Sequence, residues 1–225
     1  MKFNTVTLAD DLTKVTGLAV VIDVLRAFTS SCFILHNGAK CIYPVSDLDH
    51  AFKLKKENPD WILVAERKGF RVEGSDYGNS PTKLENVDLS NKTVILSTTA
   101  GTQAIDKLVN AEKIITAAFV NAAAIVNYIQ KNKFKKITFI CTDNRWSDNE
   151  DYQLAKYIQK LLLGENPDFV KIKEYIGRHE CAEGFLKKPY TPDSKTDFKL
   201  SFDLDRFDFV IEAQHDKDHV YLIKV

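Results

Sequence analysis

Short apolar runs alternate along this chain with longer stretches in which apolar residues recur at helical spacing. The runs are rich in β-branched residues, which is typical of buried strands. They predict strands at 18–23, 40–44, 61–65, 93–97, 113–117 and 136–141. Because strands and helices alternate, the pattern predicts βαβ units and a largely parallel sheet.

The amphipathic stretches between these runs predict helices. Their ranges are 27–37, 48–58, 102–109, 121–131 and 148–163. Gly38 fits the position just after a helix, where a left-handed backbone is needed. Asp47 fits an N-cap, because its carboxylate can accept from the first free N–H groups of the second helix.

The pattern changes after residue 167. The segment 168–188 reads as helical, and 198–202, 207–213 and 220–225 alternate like antiparallel strands, the last two joined by Asp216, Lys217 and Asp218. The whole chain therefore predicts a layered α/β/α fold with a mostly parallel or mixed sheet and antiparallel strands near the C-terminus. We expect a single domain, 1–225, with two similar subdomains of about 1–90 and 91–225.

Composition narrows the classes of function. Basic and acidic residues both number 31 among 225, so the chain lacks the basic excess of a general nucleic-acid binder. No apolar run approaches the ~20 residues that span a bilayer, and the first residues lack a signal-peptide core. We expect a cytoplasmic protein. The four cysteines, Cys32, Cys41, Cys141 and Cys181, form no Cys-x-x-Cys pair, which favours reduced structural thiols.

The segment 64–81 concentrates charge and glycine where a strand should end. Its candidate functional residues are Glu66, Arg67, Asp76, Asn79 and Ser80. Glycines 69, 74 and 78 let the backbone turn tightly around them. Because ligands of open α/β sheets bind beyond the carboxyl ends of the strands, this segment is expected in a binding site.

Further polar residues follow the other predicted strands. They are Asp23 and Arg26, the turn residues Thr98, Thr99, Gly101 and Thr102, then Asn121, Asp143 and Asp151. A Ser/Thr/Gly turn that enters a helix presents N–H groups and hydroxyls to an anion.

Each cluster also has a purely structural interpretation. The 98–102 turn could be only a helix cap. Asp23 could simply pair with Arg26, and Glu66 with Arg67. Residues 148–151 could be a solvated helix start, which is the favoured interpretation for Asp148 and Glu150.

Known nucleotide-binding motifs are missing from the sequence. It contains no P-loop and no Gly-x-Gly-x-x-Gly. Carboxylates beside arginine and hydroxyls suit a hard divalent cation and a phosphoryl group, so the oxygen ligands point to Mg²⁺. Asp23, Glu66 and Asp76 are the candidate metal ligands.

One motif series runs along the chain, at 21–27, 37–39, 65–69, 98–102 and 119–122, and above all as Gly-x-Asp-x-Gly-Asn-Ser-Pro at 74–81. This series resembles that of the 2-phosphosulfolactate phosphatase family. The resemblance covers about 18–163. It implies a two-subdomain α/β fold and Mg²⁺-dependent hydrolysis of 2-phosphosulfolactate, on the route to coenzyme M or sulfolactate.

Carboxylates at three predicted strand ends, beside a Ser/Thr/Gly helix start, support a hypothesis for the roles of the candidate residues. Asp23, Glu66 and Asp76 would hold Mg²⁺, and Arg26 and Arg67 would neutralise phosphate or sulfonate oxygens. The remaining candidates, Asn79, Ser80, Thr98, Thr99, Gly101, Thr102, Asn121 and Asp151, would contact the substrate. The partner would be a small phosphorylated sulfonate or similar anion, not a nucleic acid or a membrane, and a homodimer is expected.

The sequence departs from the family pattern at four places. Ala100 replaces an Asn, Ser75 a Phe, Asp143 a Gly after the sixth predicted strand, and Lys156 a Gly in the following helix. A lost amide and an added lysine would change substrate fit or abolish turnover. The alternative is therefore a family member that binds an anionic metabolite or a partner without turning it over.

Overall fold

A computed structural model describes residues 1–143, 148–215 and 219–225. Within these ranges ten strands form one sheet. They are β1 Lys2–Thr7, β2 Leu18–Ile22, β3 Cys41–Pro44, β4 Ile62–Arg67, β5 Phe70–Arg71, β6 Thr93–Ser97, β7 Lys113–Ala117, β8 Lys136–Cys141, β9 Ile211–His215 and β10 Val220–Lys224.

The same ranges contain nine α-helices. They are α1 Ala27–His36, α2 Leu48–Glu57, α3 Pro81–Leu84, α4 Gly101–Asp106, α5 Ala122–Asn132, α6 Glu150–Leu162, α7 Phe169–Arg178, α8 Glu183–Leu186 and α9 Ser194–Ser201. Gly38 has a φ of 91°, and Asp47 accepts from the His50 N–H, so both predicted helix boundaries are confirmed.

The sheet order is β1-β8-β2-β7-β9-β10-β3-β6-β4-β5. One parallel block comprises β1, β8, β2 and β7, and a second comprises β3, β6 and β4. The antiparallel strands β9 and β10 join the two blocks, which therefore run in opposite directions. The prediction of a mostly parallel, mixed α/β sheet is confirmed.

Strand β2 shows why the fold is layered. All of its residues are buried, as expected for a central parallel strand that helices cover on both faces. Ala19 and Val21 pack into one apolar core with Phe28 of α1, whereas Leu18, Val20 and Ile22 belong to the core on the other face. Alternate side chains of one strand thus join two helical layers to one sheet.

The C-terminal third differs from its predicted pattern. The predicted strand at 198–202 is wrong, because its residues lie mainly in helix α9, where Ser194, Asp197 and Ser201 share a buried face at helical spacing. The predicted helix at 168–188 is divided into α7, a short 3₁₀ turn and α8. Strand β9 begins at Ile211 rather than at residue 207. The predicted turn Asp216, Lys217 and Asp218 lies outside the described residues.

Strand β1 was not predicted, because its exposed polar positions hide the β pattern at the sheet edge. The subdomain division near residue 90 stays a prediction, and each parallel block takes strands from both sides of that residue. The cysteines are free thiols, of which Cys41 is partly exposed and the other three are buried. None of the helices in the described ranges is long and apolar enough to cross a membrane.

Candidate active site

A cavity of about 650 Å³ lies where loops from both parallel blocks meet. The loops that follow β2, β4, β6 and β8 line it, and residues around α8 form a further wall. Seven predicted site residues line this cavity: Asp23, Arg26, Glu66, Asn79, Thr98, Thr99 and Asp151. Six predicted site residues are not among its lining residues: Arg67, Asp76, Ser80, Gly101, Thr102 and Asn121.

Asp23 lies between the end of β2 and the start of α1. Its Oδ1 accepts from the Ala27 N–H at 2.9 Å, so it does not simply pair with Arg26. Burial raises the pKa of this carboxyl to about 6, and the charges of Glu66 and Asp143 add to the rise. Asp23 is therefore a buried acid whose ionised form would be stabilised by a cation.

Gly101 lies directly behind Asp23. A Cβ at this position would lie 2.9 Å from Asp23 Oδ2 and 3.0 Å from Ala27 Cβ. The missing side chain therefore lets the start of α4 approach Asp23 closely. Gly101 shapes the site through packing and does not itself line the cavity.

Glu66, at the end of β4, holds two loops together. Its Oε1 accepts from the N–H and the hydroxyl of Thr99, at 3.1 and 2.5 Å, and its Oε2 accepts from the Gly69 N–H at 2.7 Å. Three hydrogen bonds fix the carboxylate in one orientation at the cavity wall. Glu66 also orders the 98–100 turn.

Arg67 does not reach the cavity. Its guanidinium donates to the carbonyls of Glu66, Ser97 and Ser46 and to the Ser97 hydroxyl. Its donors instead tie the ends of β4 and β6 to the loop before α2, and its contact with substrate oxygens stays a prediction. The alternative of a Glu66–Arg67 ion pair is wrong, since Arg67 contacts the carbonyl of Glu66.

Arg26 does line the cavity. Its Nη1 lies 2.5 Å from Asp197 Oδ2, and its Nη2 donates to the Gly69 carbonyl at 2.9 Å. The Phe185 ring covers the guanidinium, with a centroid distance of 5.6 Å. Sequence reasoning missed Asp197, because it falls where a strand boundary was expected.

Asp76 is not brought together with Asp23 and Glu66. Its Oδ2 accepts from the Leu63 N–H at 2.7 Å and pairs with Lys55 at 3.0 Å. The loop that follows β5 turns back toward the beginning of β4, about 10 Å along the strand from Glu66. The structure therefore does not bring the three expected metal ligands together, and the metal role of Asp76 stays a prediction.

Asn79 and Ser80 are neighbours with different surroundings. Asn79 lines the cavity, is 4% exposed, and its Oδ1 has no hydrogen-bond partner within the described part of the chain. Ser80 is the N-cap of α3, and its hydroxyl donates to Asp197 Oδ1 at 2.7 Å. Of the two, only Asn79 is placed to contact a substrate.

The residues of the 98–102 turn also differ in whether they line the cavity. Thr98 lines the cavity, is 2% exposed, and its Oγ1 has no partner among the described residues. Thr99 lines it too, but donates its N–H and hydroxyl to Glu66. Thr102 lies within α4, where its hydroxyl bonds the Thr98 carbonyl. Thr102 is not among the residues that line the cavity, and its contact with the substrate stays a prediction.

Asn121 also has a structural role. It is fully buried, its Oδ1 accepts from the Ala118 N–H at 3.1 Å, and its Nδ2 donates to the Phe209 carbonyl at 3.3 Å. Both ends of the amide are thus used to hold the loop after β7 against the approach to β9. Asn121 is not among the residues that line the cavity, and its contact with the substrate stays a prediction.

Asp151 clamps two loops at the cavity wall. Its Oδ1 accepts from the Val24 N–H at 2.9 Å, and its Oδ2 accepts from the N–H groups of Thr142 and Asp143. Burial raises the pKa of Asp151 well above its usual range. The carboxyl thereby joins the ends of β2 and β8.

Glu150 is a site residue that sequence reasoning assigned to solvent. It is 3% exposed, lines the cavity, and its Oε2 has no hydrogen-bond partner among residues that the structure describes. Burial raises the pKa of Glu150 to about 7. The spacing offered a signal, since Glu150 lies four residues before Leu154 and eight before Ile158 on the buried face of α6.

The cavity carries more acidic than basic side chains. Its acids are Asp23, Glu66, Asp143, Glu150 and Asp151, and its bases are Arg26, Lys68 and Lys107. In the described ranges, no group of three His, Cys, Asp or Glu side chains is arranged as a metal site.

The four departures from the family pattern separate into two groups. Ala100 and Asp143 line the cavity, whereas Ser75 and Lys156 do not. The Ser75 hydroxyl contacts the Val72 carbonyl, and Lys156 pairs with Asp148 at the surface. Only two of the departures can therefore contact a bound substrate directly.

The α/β fold carries a cavity lined by acids, an arginine and hydroxyls, which is the arrangement of an enzyme-like site for a small polar ligand. A sequence model of the family described as 2-phosphosulpholactate phosphatase matches residues 4–215. The chain belongs to that family, whose members are phosphoric monoester hydrolases.

Curated relatives agree with this assignment. The chain is 41% identical over 158 residues to a probable 2-phosphosulfolactate phosphatase of Carboxydothermus hydrogenoformans, covering 70% of this chain and 65% of the relative. It is 34% identical over 196 residues to one of Clostridium perfringens, covering 82% and 78%. The match thus spans slightly less than two thirds of the Carboxydothermus protein.

Proposed function

We propose that this protein hydrolyses 2-phosphosulfolactate to sulfolactate and phosphate in the cavity. The observation that carries the proposal is a set of three buried polar atoms without partners in the described part of the chain: Asn79 Oδ1, Thr98 Oγ1 and Glu150 Oε2. All three residues line the cavity. Because an unsatisfied buried polar group costs about 1–3 kcal/mol, a polar ligand would stabilise this arrangement.

Arg26 and Thr98 would bind the phosphoryl group. Two of the five N–H donors of Arg26 are used by Asp197 and Gly69, which leaves its other donors for phosphoryl oxygens. A guanidinium binds such oxygens well because its donors are planar and always charged. The Thr98 hydroxyl can donate to the same group.

Lys68 and Lys107 would bind the other end of the substrate. Both side chains are exposed at the cavity, and neither forms an ion pair with a described residue. The substrate carries a carboxylate and a sulfonate besides its phosphate. Flexible ammonium groups at the rim fit these two anions, and they would draw the substrate toward the acidic interior.

The donor set also fits Mg²⁺. Asp23 and Glu150 offer buried carboxylate oxygens, and burial together with neighbouring acids raises the pKa of both, so a bound cation would stabilise their ionised forms. Mg²⁺ is commonly held by one or two carboxylates together with substrate phosphate. Asp23 and Glu150 would hold the ion, with Glu66 contributing negative charge. Bound there, Mg²⁺ would supply Lewis-acid neutralisation of the phosphoryl charge.

The test is phosphate release from 2-phosphosulfolactate, measured with Mg²⁺ and with a chelator. We expect release that requires the metal and that falls at least about 100-fold in Asp23→Asn. Asp76→Asn is the matched control, because Asp76 lies outside the cavity, and it should retain activity. Release in the presence of chelator would reject Mg²⁺ dependence, and no release under any condition would reject the proposed activity.

A second candidate is a binding protein without turnover. Two observations favour it, since Ala100 and Asp143 both line the cavity where the family pattern has other residues. Calorimetry with sulfolactate and inorganic phosphate distinguishes the two. Tight binding without hydrolysis of any phosphomonoester would support the binding protein, whereas measurable turnover would reject it.

The proposal also includes a cellular location and a metabolic route. We place the activity in the cytoplasm, on a route to sulfolactate or coenzyme M, with a small anion rather than a nucleic acid or a membrane as the partner. The balanced charge of the chain supports this choice. A homodimer stays a prediction, which light scattering of the purified protein would test.

A further inference from the structure

Asp197 lies in α9, within the C-terminal third that the sequence resemblance did not cover, and its side chain is fully buried. Its two oxygens contact different parts of the site. Oδ2 lies 2.5 Å from Arg26 Nη1. Oδ1 accepts from the Ser80 hydroxyl at 2.7 Å and from the Thr82 N–H and hydroxyl, at 3.0 and 2.7 Å.

We propose that Asp197 is a positioning residue that fixes the phosphate-binding orientation of Arg26, an inference that rests on the function proposed above. A buried ion pair contributes little net stability, because desolvation offsets the attraction of the two charges. It does fix geometry, since the planar guanidinium presents its donors as a rigid fork.

The surroundings of Arg26 leave the guanidinium one orientation. Asp197 holds one terminal nitrogen, the Gly69 carbonyl holds the other, and the Phe185 ring lies 5.6 Å from the guanidinium carbon. The remaining donors are thereby aimed in a fixed direction at the cavity. Asp197 is the charged member of this arrangement, so its loss should release Arg26 more than the loss of a neutral contact.

The same carboxylate also places the loop that carries Asn79. Ser80, which follows Asn79 directly, donates to Asp197 Oδ1. One buried side chain thus positions two residues, Arg26 on the loop after β2 and Asn79 on the loop before α3. Both residues line the cavity, so a shift of Asp197 would move two substrate contacts together.

Asp197→Asn tests the inference because it keeps the shape of the side chain. If the Asn oxygen continues to accept from Ser80 and Thr82, its NH₂ group faces the Arg26 donors and the guanidinium must rotate away. Misplacement by 1 Å can cost about 100-fold in rate. We expect kcat to fall at least about 30-fold while KM changes less than about threefold, because the Arg26 charge remains to bind phosphate.

Asp193→Asn is the matched control. Asp193 precedes the same helix and pairs with Lys83 at 3.3 Å in a partly exposed ion pair, whereas Arg26 pairs with Asp197. It should keep the parental kcat. Asp197→Glu restores the charge and should recover part of the lost rate, which a merely structural role would not predict for a longer side chain in a packed site. Thermal melts establish that each variant is folded at the assay temperature.

If Asp197→Asn does not fold, Thr82→Val replaces it, since it removes one hydrogen bond to Oδ1 and should lower kcat about threefold to tenfold. Suppose that the parent is active and that the folded Asp197→Asn or Thr82→Val variant has the same kcat as Asp193→Asn. That result would overturn the positioning role of Asp197 alone. A parent that neither releases phosphate nor binds inorganic phosphate in calorimetry would overturn the proposed function, and this inference with it.

Discussion

The backbone N–H and the hydroxyl of Thr99 both donate to Oε1 of Glu66, at 3.1 and 2.5 Å. This contact joins the ends of β4 and β6, which are neighbours in the sheet. The Gly69 N–H donates to the other oxygen of the same carboxylate. Glu66 therefore accepts from two separate loops at the cavity wall, and its charge serves loop order as well as ligand binding.

We expect Glu66→Gln to destabilise the metal-free protein by about 1–3 kcal/mol, because the amide NH₂ would face N–H donors that need an acceptor. Chemical denaturation in the presence of a chelator measures this change. Glu73→Gln is the control, since Glu73 is exposed on the loop after β5 and should leave stability unchanged. A Glu66→Gln protein as stable as its parent, with its Mg²⁺-dependent thermal shift lost, would instead make Glu66 a metal ligand.

The raised pKa of Glu150 predicts how the stability of the folded protein changes with pH. Its pKa is raised from 4.5 to about 7, so the folded protein holds this proton more tightly than the unfolded chain does. The contribution of the raised pKa is present below about pH 4.5 and is lost as the pH rises through about 7. The metal-free protein should therefore lose stability over this range.

Glu150→Gln mimics the protonated acid, so the variant should be more stable than its parent at pH 8, by about 3 kcal/mol at 1.36 kcal/mol per pKa unit. Near pH 4 the difference should vanish. Urea denaturation across this range, with chelator present, measures both. Glu165→Gln, at an exposed glutamate, should follow the parent at every pH. Equal stability of Glu150→Gln and its parent at pH 8 would show that Glu150 carries no burial penalty.

Ala100 is the N-cap of α4, and its side chain makes no capping hydrogen bond. Ala100→Asn should therefore raise stability by about 1 kcal/mol through capping. Because Ala100 also lines the cavity, the amide can donate to a bound anion, and we expect activity on the sulfonated substrate to rise on the order of 100-fold. Ala100→Ser caps the helix without an amide, so it should gain the stability alone. Equal activity of the two variants would exclude the amide contact.

Several site residues could be predicted from sequence, and the reason is local. Asp23, Glu66 and Thr98 follow strands whose apolar runs are easily recognised, and the structure brings all three to one cavity. Asp76 was misplaced because the loop after β5 turns back, with the N–H groups of Asp76 and Tyr77 both donating to the Leu63 carbonyl. Glycine spacing predicts that such a loop turns, but not where its residues return.

The positions of Asp197 and Glu150 depend on packing between distant segments, although the spacing of Glu150 with Leu154 and Ile158 did offer a signal for its burial. Asp197 reaches Arg26 across 171 positions of the sequence, so only the packing of α9 against the loop after β2 brings the two together. Glu150 begins α6 beside Asp151, where an acidic first turn is more often a solvated complement to the helix dipole. It interacts with Cys181 in the 3₁₀ turn 180–182, which no pattern in the chain predicts.

Gly101 offers a test of how closely Asp23 must be packed. Gly101→Ala would place a methyl group 2.9 Å from Asp23 Oδ2 and 3.0 Å from Ala27 Cβ, so either α4 or the carboxylate must move. We expect the added group to cost about 1–3 kcal/mol of stability and to lower kcat about 100-fold, since displacement of about 1 Å at a reacting centre is enough for that loss. Gly177→Ala is the matched control, because Gly177 lies within α7 and its new Cβ would come no closer than 3.7 Å to Leu186. That change should instead stabilise the protein by about 0.5–1 kcal/mol, as Ala does in place of Gly inside a helix. Denaturation curves and initial rates of both variants decide the matter. A Gly101→Ala protein with parental kcat would show that the site tolerates a displaced Asp23, and the central role given to this carboxylate would then be wrong.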